Sequence, residues 1–209
     1  TLYSEALGRL ESVDLKNPEN LRVAASLRRK VAYITSYSDQ AKAVEQYKES
    51  IASYQALVEA DPKNSRARRD FAVALREMGE LQEGIPSQTH AAVDSYTRTL
   101  DQLLALGATQ GEDLRLREMA AEMYLRIGGL LVGAGDGARG RTSSRRALDL
   151  ARTLAERSGA TPPQLAFYAE ALLRVEPGDL KNPPVALRYA QAASDAVKSR
   201  NPSYLDLVA

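Results

Sequence analysis

The feature that most constrains this chain is that it repeats itself. Pro18, in Val13-Asp-Leu-Lys-Asn-Pro-Glu-Asn20, and Pro62, in Val58-Glu-Ala-Asp-Pro-Lys-Asn64, each close one helical stripe and open the next, 44 residues apart. Phe71-Ala-Val-Ala-Leu-Arg-Glu-Met-Gly79 and Ala120-Ala-Glu-Met-Tyr-Leu-Arg-Ile-Gly128 form a second matched set, with their glycines 49 residues apart. Both place an alanine seven residues before the glycine (Ala72, Ala121) and a large residue four before it (Leu75, Tyr124). A unit of this length cannot bury its own apolar face, so a core forms only by stacking one unit on the next.

Each unit reads as a pair of helices. Leu21, Ala24, Ala25, Leu27, Val31 and Ile34 fall on one face, followed by punctuation at 36–39, where Ser38 or Asp39 is the expected N-cap. Ala43, Val44, Tyr47, Ile51, Tyr54, Leu57 and Val58 make the partner stripe. Ala67 to Met78 reads as a helix stopped by Gly79, with a loop over 84–90, and the stripe from Ala92 to Leu104 follows. Leu114 to Leu131 is helical, a glycine-rich stretch runs over 128–140, and Ala147, Leu150, Ala151 and Leu154 mark the next helix. Leu165 to Val175 and Val185 to Val197 form the last pair. Leu2, Ala6, Leu7, Leu10 and Val13 look like a second helix without its first, and Tyr204 to Ala209 a first helix without its second. Composition agrees: Ala and Leu number 33 and 28, against 16 for Val and Ile together. Ala and Leu favour helices and β-branched residues favour strands, and no segment alternates with period two. The chain is expected to be all-α.

Within a pair, the second helix carries a small residue, a large one four later and an apolar one three later still: Ala6–Leu10–Val13, Ser50–Tyr54–Leu57, Ala92–Tyr96–Thr99 and, more weakly, Ala186–Ala190–Ala193. Small residues let paired helices approach, and the large one fills the space toward the next pair. Tyr47, Tyr54, Tyr96, Tyr124, Tyr168 and Tyr189 are accordingly expected in the core, with Tyr33 and Tyr37 less enclosed.

These residues resemble the tetratricopeptide repeat (TPR). The resemblance implies a right-handed superhelix of antiparallel helix pairs over residues 1–209, with units at 19–62, 63–111, 112–160 and 161–201 between partial units at 1–18 and 202–209. The period is longer than the usual 34 residues of that repeat. The surplus is expected in longer second helices and in the loop over 82–90. Asp61 to Gly79, Asp179 to Ala190 and Asn201 to Asp206 further resemble the C-terminal TPR tails of bacterial serine/threonine protein kinases, acidobacteria-like ones in particular. The kinase parts themselves are missing from this sequence: no nucleotide loop with its strand lysine, no His-Arg-Asp, no Asp-Phe-Gly. The resemblance therefore implies a piece of a larger protein, a non-catalytic interaction or scaffolding module, expected in the cytoplasm, or outside it if a membrane span lies upstream in the full-length chain. A sensor segment of a multidomain transcriptional regulator is the alternative.

Candidate chemistry is sparse. With no cysteine and one histidine, thiolate and multi-histidine metal sites are excluded, and His90 is expected on a surface loop. A net charge of +1 gives no global attraction to nucleic acid. No apolar run approaches the roughly 20 residues that span a bilayer. Gly135-Asp-Gly-Ala-Arg-Gly140 matches G-x-G-x-x-G, and through Arg141 and Thr142 it nearly matches a P-loop. A phosphate cradle needs a strand entering the glycines. What enters here has helical spacing, so an inter-helix loop with glycine C-caps is the preferred reading over a nucleotide site. Arg139, Arg141, Arg145 and Arg146 cluster with Thr142, Ser143 and Ser144 as a candidate phosphate or modification patch. No cofactor or metal is expected.

In TPR arrays the first helices of the pairs line a concave surface that holds peptides. Carried onto this chain, that surface contains Arg22, Ser26 and Arg29; then Arg66, Arg69, Val73 and Arg76; then Arg115, Glu118, Glu122 and Arg126. Arginine binds carboxylates bidentately, so Arg22, Arg29, Arg66, Arg69, Arg76, Arg115 and Arg126 are the expected groove for an acidic protein or peptide partner. Asp70, Glu77, Glu118 and Glu122 dilute that charge. The lysine and asparagine set of carboxylate-clamp TPRs is not reproduced.

Overall fold

Asparagine and aspartate side chains set where most of the helices begin. In the computed structural model, which describes residues 14–109 and 111–197 together with Glu5 and Gly8, the Asn17 side chain accepts from the backbone of Glu19 and Asn20 and opens α1 (Pro18–Thr35). Asp39 caps α2 (Gln40–Ala60), choosing between the two expected residues, and Asn64 caps α3 (Ser65–Glu83). Helix α4 (Thr89–Ala105) follows a 3-10 turn at Pro86–Gln88 and has no side-chain cap. Asp113, Asp136 and Asn182 cap α5 (Leu114–Gly133), α6 (Gly137–Glu156) and α8 (Pro183–Ala196). At α7 (Pro162–Arg174) the Gln164 side chain accepts from Thr161 N at 2.9 Å, half of a capping box. Each of these contacts satisfies donors that the first turn of a helix leaves unpaired.

The described residues contain helices and no strand, and the helices pack in adjacent pairs: α1 with α2, α3 with α4, α5 with α6, α7 with α8. The chain divides into two compact units, Thr1–Leu106 and Gly107–Ala209. In the first, α2 also packs on α3, and α1 touches α3. Its core gathers Ala25, Tyr47, Ile51, Tyr54, Phe71 and Leu75. In the second, α6 packs on α7 around Leu125, Ala147, Ala151, Tyr168, Ala169 and Leu172. The partial helices expected at 2–13 and 204–209 lie outside the described residues.

Close approach within the first three pairs rests on small residues. Ser50 on α2 donates to the Ala25 carbonyl of α1 at 2.8 Å. A Cβ on Gly79 would lie 2.6 Å from the Tyr96 ring of α4. A Cβ on Gly128 would lie 2.2 Å from Ser144 Oγ, and one on Gly140 would lie 2.9 Å from the Gly128 carbonyl oxygen. These glycines exist for packing, which corrects two expectations. Helix α3 does not stop at Gly79 but runs on to Glu83. The stretch 128–140 is not a loop: only Ala134, Gly135 and Asp136 lie between α5 and α6. Of its glycines, Gly135 alone is left-handed, at φ +89°. Its N–H reaches the Val132 carbonyl at 3.0 Å and the Asp136 N–H reaches Leu131 at 2.8 Å, a Schellman cap.

The surplus length is also placed differently from expectation. Helices of the first three pairs run from 17 to 21 residues, while the connection at Gly84–Gln88 is short. The long period thus comes from both helices of a pair rather than from the loop. His90 sits in the first turn of α4, exposed, and not in a loop.

Candidate interaction surface

Where α1 lies against α3, the expected groove arginines meet acids from the neighbouring helix. Arg22 donates to Glu19 within its own first turns, at 2.6 and 3.0 Å, and across to Asp70 Oδ2 of α3 at 2.9 Å. The hydrogen bond from Arg22 holds the Glu19 carboxyl below its usual range, and Glu19 and Asp70 raise the arginine, against the opposing effect of its burial. Two helical turns on, Arg29 pairs with Glu77, both largely buried. Burial disfavours the guanidinium charge there, but the hydrogen bond and charge of Glu77 outweigh it and the arginine is raised. Tyr47 of α2 donates to the other Glu77 oxygen at 3.3 Å, and burial and then the Glu77 charge push its hydroxyl up. Both cross-helix pairs join residues 48 apart in sequence.

The rest of the face is looser. Arg66 is exposed and 3.9 Å from Glu19. Arg69 is exposed, Arg76 pairs with Glu80 at 2.6 Å, and Ser26 and Val73 are half-buried. The first unit therefore brings Arg22, Arg29, Arg66, Arg69 and Arg76 onto α1 and α3, with much of their charge already matched. Tyr54 is fully buried beneath this face, and its hydroxyl lies beside Ser26 and Arg29 without forming a well-aligned hydrogen bond to either. In the second unit, α5 carries Arg115, exposed, and Arg126, which pairs with Glu122 at 3.2 Å. Burial and then the Glu122 charge raise the Glu118 carboxyl.

The other candidates separate. No strand enters 135–140: the G-x-G-x-x-G match is a helix–helix turn whose last glycine serves packing, so its backbone is not arranged as a phosphate cradle. Arg139, Arg141, Arg145 and Arg146 lie within α6, and the first, second and fourth of them meet different partners. Arg139 pairs with its own N-cap, Asp136, at 3.2 Å, and Arg141 grips Asp179 bidentately at 2.8 and 3.0 Å. Arg146 covers the Tyr124 ring at 5.7 Å. Ser144 is fully buried and donates to the Glu176 carbonyl, which leaves Thr142 and Ser143 as the accessible hydroxyls of that cluster. Tyr47, Tyr54, Tyr96 and Tyr168 are core residues, Tyr124 and Tyr189 are half-buried. Tyr33 and Tyr37 are exposed and stack edge-on, with Tyr37 donating to Tyr33 at 2.6 Å. Among the described residues no cluster of His, Asp or Glu is disposed to hold a metal ion, and no helix is long and apolar enough to cross a membrane.

No protein-family model matches the chain. No curated protein matches it in sequence. Similarity emerges in three dimensions. BtubC (BKLC) from P. vanneervenii is 15% identical, with 95% of this chain and 71% of that one aligned at a TM-score of 0.52. At that identity the likeness shows the fold, a TPR-like set of stacked helix pairs. MamA is 14% identical over 95% of this chain and 86% of its own, with a TM-score of 0.40. TTC0263, a thermophilic TPR protein of Thermus thermophilus, is 17% identical over 88% of this chain and 95% of its own, with a TM-score of 0.25.

Proposed function

We propose that this chain is a non-catalytic protein–protein interaction module that receives an acidic peptide or partner protein across the first-helix face, centred on α1 and α3. The observation that carries this reading is the ordered row of charge on that face. Arg22–Asp70 and Arg29–Glu77 fix guanidiniums and carboxylates at two levels, seven residues apart. Seven helical residues rise about 10.5 Å, close to three residues of extended peptide. Beside these pairs, Arg66 and Arg69 stand exposed, where they can reach a partner's carboxylates without breaking the cross-helix pairs. On the resemblance of residues 61–79 and 179–190, we read the chain as the TPR tail of a bacterial serine/threonine kinase, in the cytoplasm. Arg115 and Arg126 of the second unit would offer a partner the same surface chemistry.

The test is capture by the wild-type chain and by Arg66→Glu/Arg69→Glu, read by quantitative mass spectrometry. The variant is expected to keep its melting midpoint and lose at least one partner that wild type retains. An unchanged partner set would refute the assignment of the surface. The reading frame around Thr1 tests the kinase assignment separately: a kinase domain upstream supports it, and a DNA-binding domain replaces it.

A further inference from the structure

The arginines of the first-helix face are mostly matched by acids, which raises the question of where positive charge meets only neutral partners. A cleft of about 280 Å³ opens between α2, α3 and α4, with Arg68, Arg98, Val58, Phe71 and the acids Glu59 and Asp101 in its lining. Its two arginines are held by neutral oxygens. Arg68 donates to Gln102 Oε1 at 2.8 Å and to the Pro62 carbonyl at 3.0 Å. Arg98 donates to Gln55 Oε1 at 3.3 Å and lies over the Phe71 ring, 5.9 Å from its centroid. Both are half-buried, while Glu59 and Asp101 are exposed. The Gln55 amide donates to Glu59 at 2.8 Å, which ties that acid to the wall.

We propose that this cleft is a second binding site, one that takes the side-chain carboxylate of a single glutamate within a partner peptide. A carboxylate in place of the two glutamine oxygens would exchange neutral acceptors for a charged one, adding ion–ion attraction and a bidentate fit to the guanidinium fork. The ring beneath Arg98 and the amides beside both arginines hold the forks before the ligand arrives, so little side-chain freedom is lost on binding. The acids set the selectivity. Two exposed acids in the lining repel a polyanion far more than a single carboxylate, so nucleic acid and polyphosphate are disfavoured. The glutamate stem's methylenes would lie along Val58 and the edge of Phe71. A chain-terminal carboxylate has no such stem to reach the half-buried guanidiniums.

The second unit offers a contrast. Its cleft of about 270 Å³ is lined by Arg145, Leu148, Asp149, Arg152 and Tyr168, again arginines and an aromatic ring. There Arg152 already holds the carboxylate of Asp149 at 3.0 Å. An acid from the chain itself supplies what the first cleft leaves to a ligand.

The site rests on the reading of the chain as a peptide-binding module only for the source of its ligand. The test is a titration of the full chain with an acetylated, amidated peptide, Ala-Ala-Glu-Ala-Ala-Ala, following arginine Nε–Hε signals by NMR. The glutamate probe is expected to shift Arg68 and Arg98 saturably, with a Kd of about 1 mM or tighter, and a glutamine counterpart to bind at least about tenfold more weakly. Arg98→Lys, which keeps the charge and removes the fork, is expected to lose most of the affinity while melting as wild type does. Arg66→Glu/Arg69→Glu is expected to leave the titration unchanged, so failure of the first-helix surface and failure of this site are read independently. Equal binding of the glutamine probe, equal binding of an all-alanine probe with a free C-terminus, shifts confined to the α1–α3 arginines, or no saturable shift would each overturn the proposal.

Discussion

Gly128 and Gly129 are neighbours in the same helix, and replacing each with alanine should move stability in opposite directions. Alanine in a helix interior is favoured over glycine by up to about 1 kcal/mol. Around Gly129 nothing lies within 4 Å of a new Cβ, so Gly129→Ala keeps that gain of about 0.5–1 kcal/mol. At Gly128 the Cβ would lie 2.2 Å from Ser144 Oγ and 3.2 Å from both the Gly140 carbonyl oxygen and Ser144 N. Two of those neighbours are backbone of α6 and cannot rotate away. Overpacking of this kind costs about 1–3 kcal/mol. Displacing the Ser144 hydroxyl also breaks its bond to the Glu176 carbonyl, about 1 kcal/mol more. Gly128→Ala is thus destabilising by a net of about 1–3 kcal/mol. Urea unfolding followed by far-ultraviolet circular dichroism reads both variants. For a chain of this size each kcal/mol moves the thermal midpoint by about 2–4 °C, so calorimetry separates the two variants cleanly. If both substitutions stabilise, or both are neutral, the close approach of α5 and α6 through Gly128 is wrong.

Three further outcomes follow from the polar network. A double-mutant cycle of Arg29→Ala and Glu77→Ala should show a coupling of about 2 kcal/mol because both partners are largely buried; the exposed, 3.9 Å Arg66–Glu19 pair should show none that urea titration can resolve. Tyr54→Phe removes a buried hydroxyl with no well-aligned hydrogen bond and should change stability by less than about 0.5 kcal/mol, whereas Tyr96→Phe, which breaks a 2.6 Å bond to Glu83, should destabilise by about 1 kcal/mol. Glu118 has a carboxyl raised above 4.5 in the fold by burial and Glu122, so the stability linked to its protonation is present below 4.5 and lost as pH rises through the folded value. Glu118→Gln should therefore raise the urea midpoint at neutral pH, with the gain vanishing on acidification below 4.5; a gain that grows on acidification would contradict the assignment.

The helix pairing was legible because period and composition act over many residues, and single deviations do not blur them. What the sequence could not separate were the two uses of glycine. Gly135 ends a helix through a left-handed backbone, while Gly79 and Gly128 sit inside helices to admit a neighbour, and only the facing residues, Tyr96 and Ser144, distinguish the cases. The same limit applies to charge. Arg22 and Arg29 were identifiable as first-helix residues, but their partners Asp70 and Glu77 stand on the next helix pair. The signal was present, since opposite charges recur at a separation of 48. Arg68 and Arg98 escaped notice because they face the space between helix pairs, and because their partners are glutamines, which carry no charge to count.

Binding across the first-helix face is tested most directly by hydrogen exchange of the full chain with and without a captured partner, resolved to individual helices. Slower exchange is predicted in Pro18–Thr35 and Ser65–Glu83 together, and no slowing when Arg66→Glu/Arg69→Glu replaces wild type. Slowing that avoids both helices, or that survives the double substitution unchanged, would contradict it.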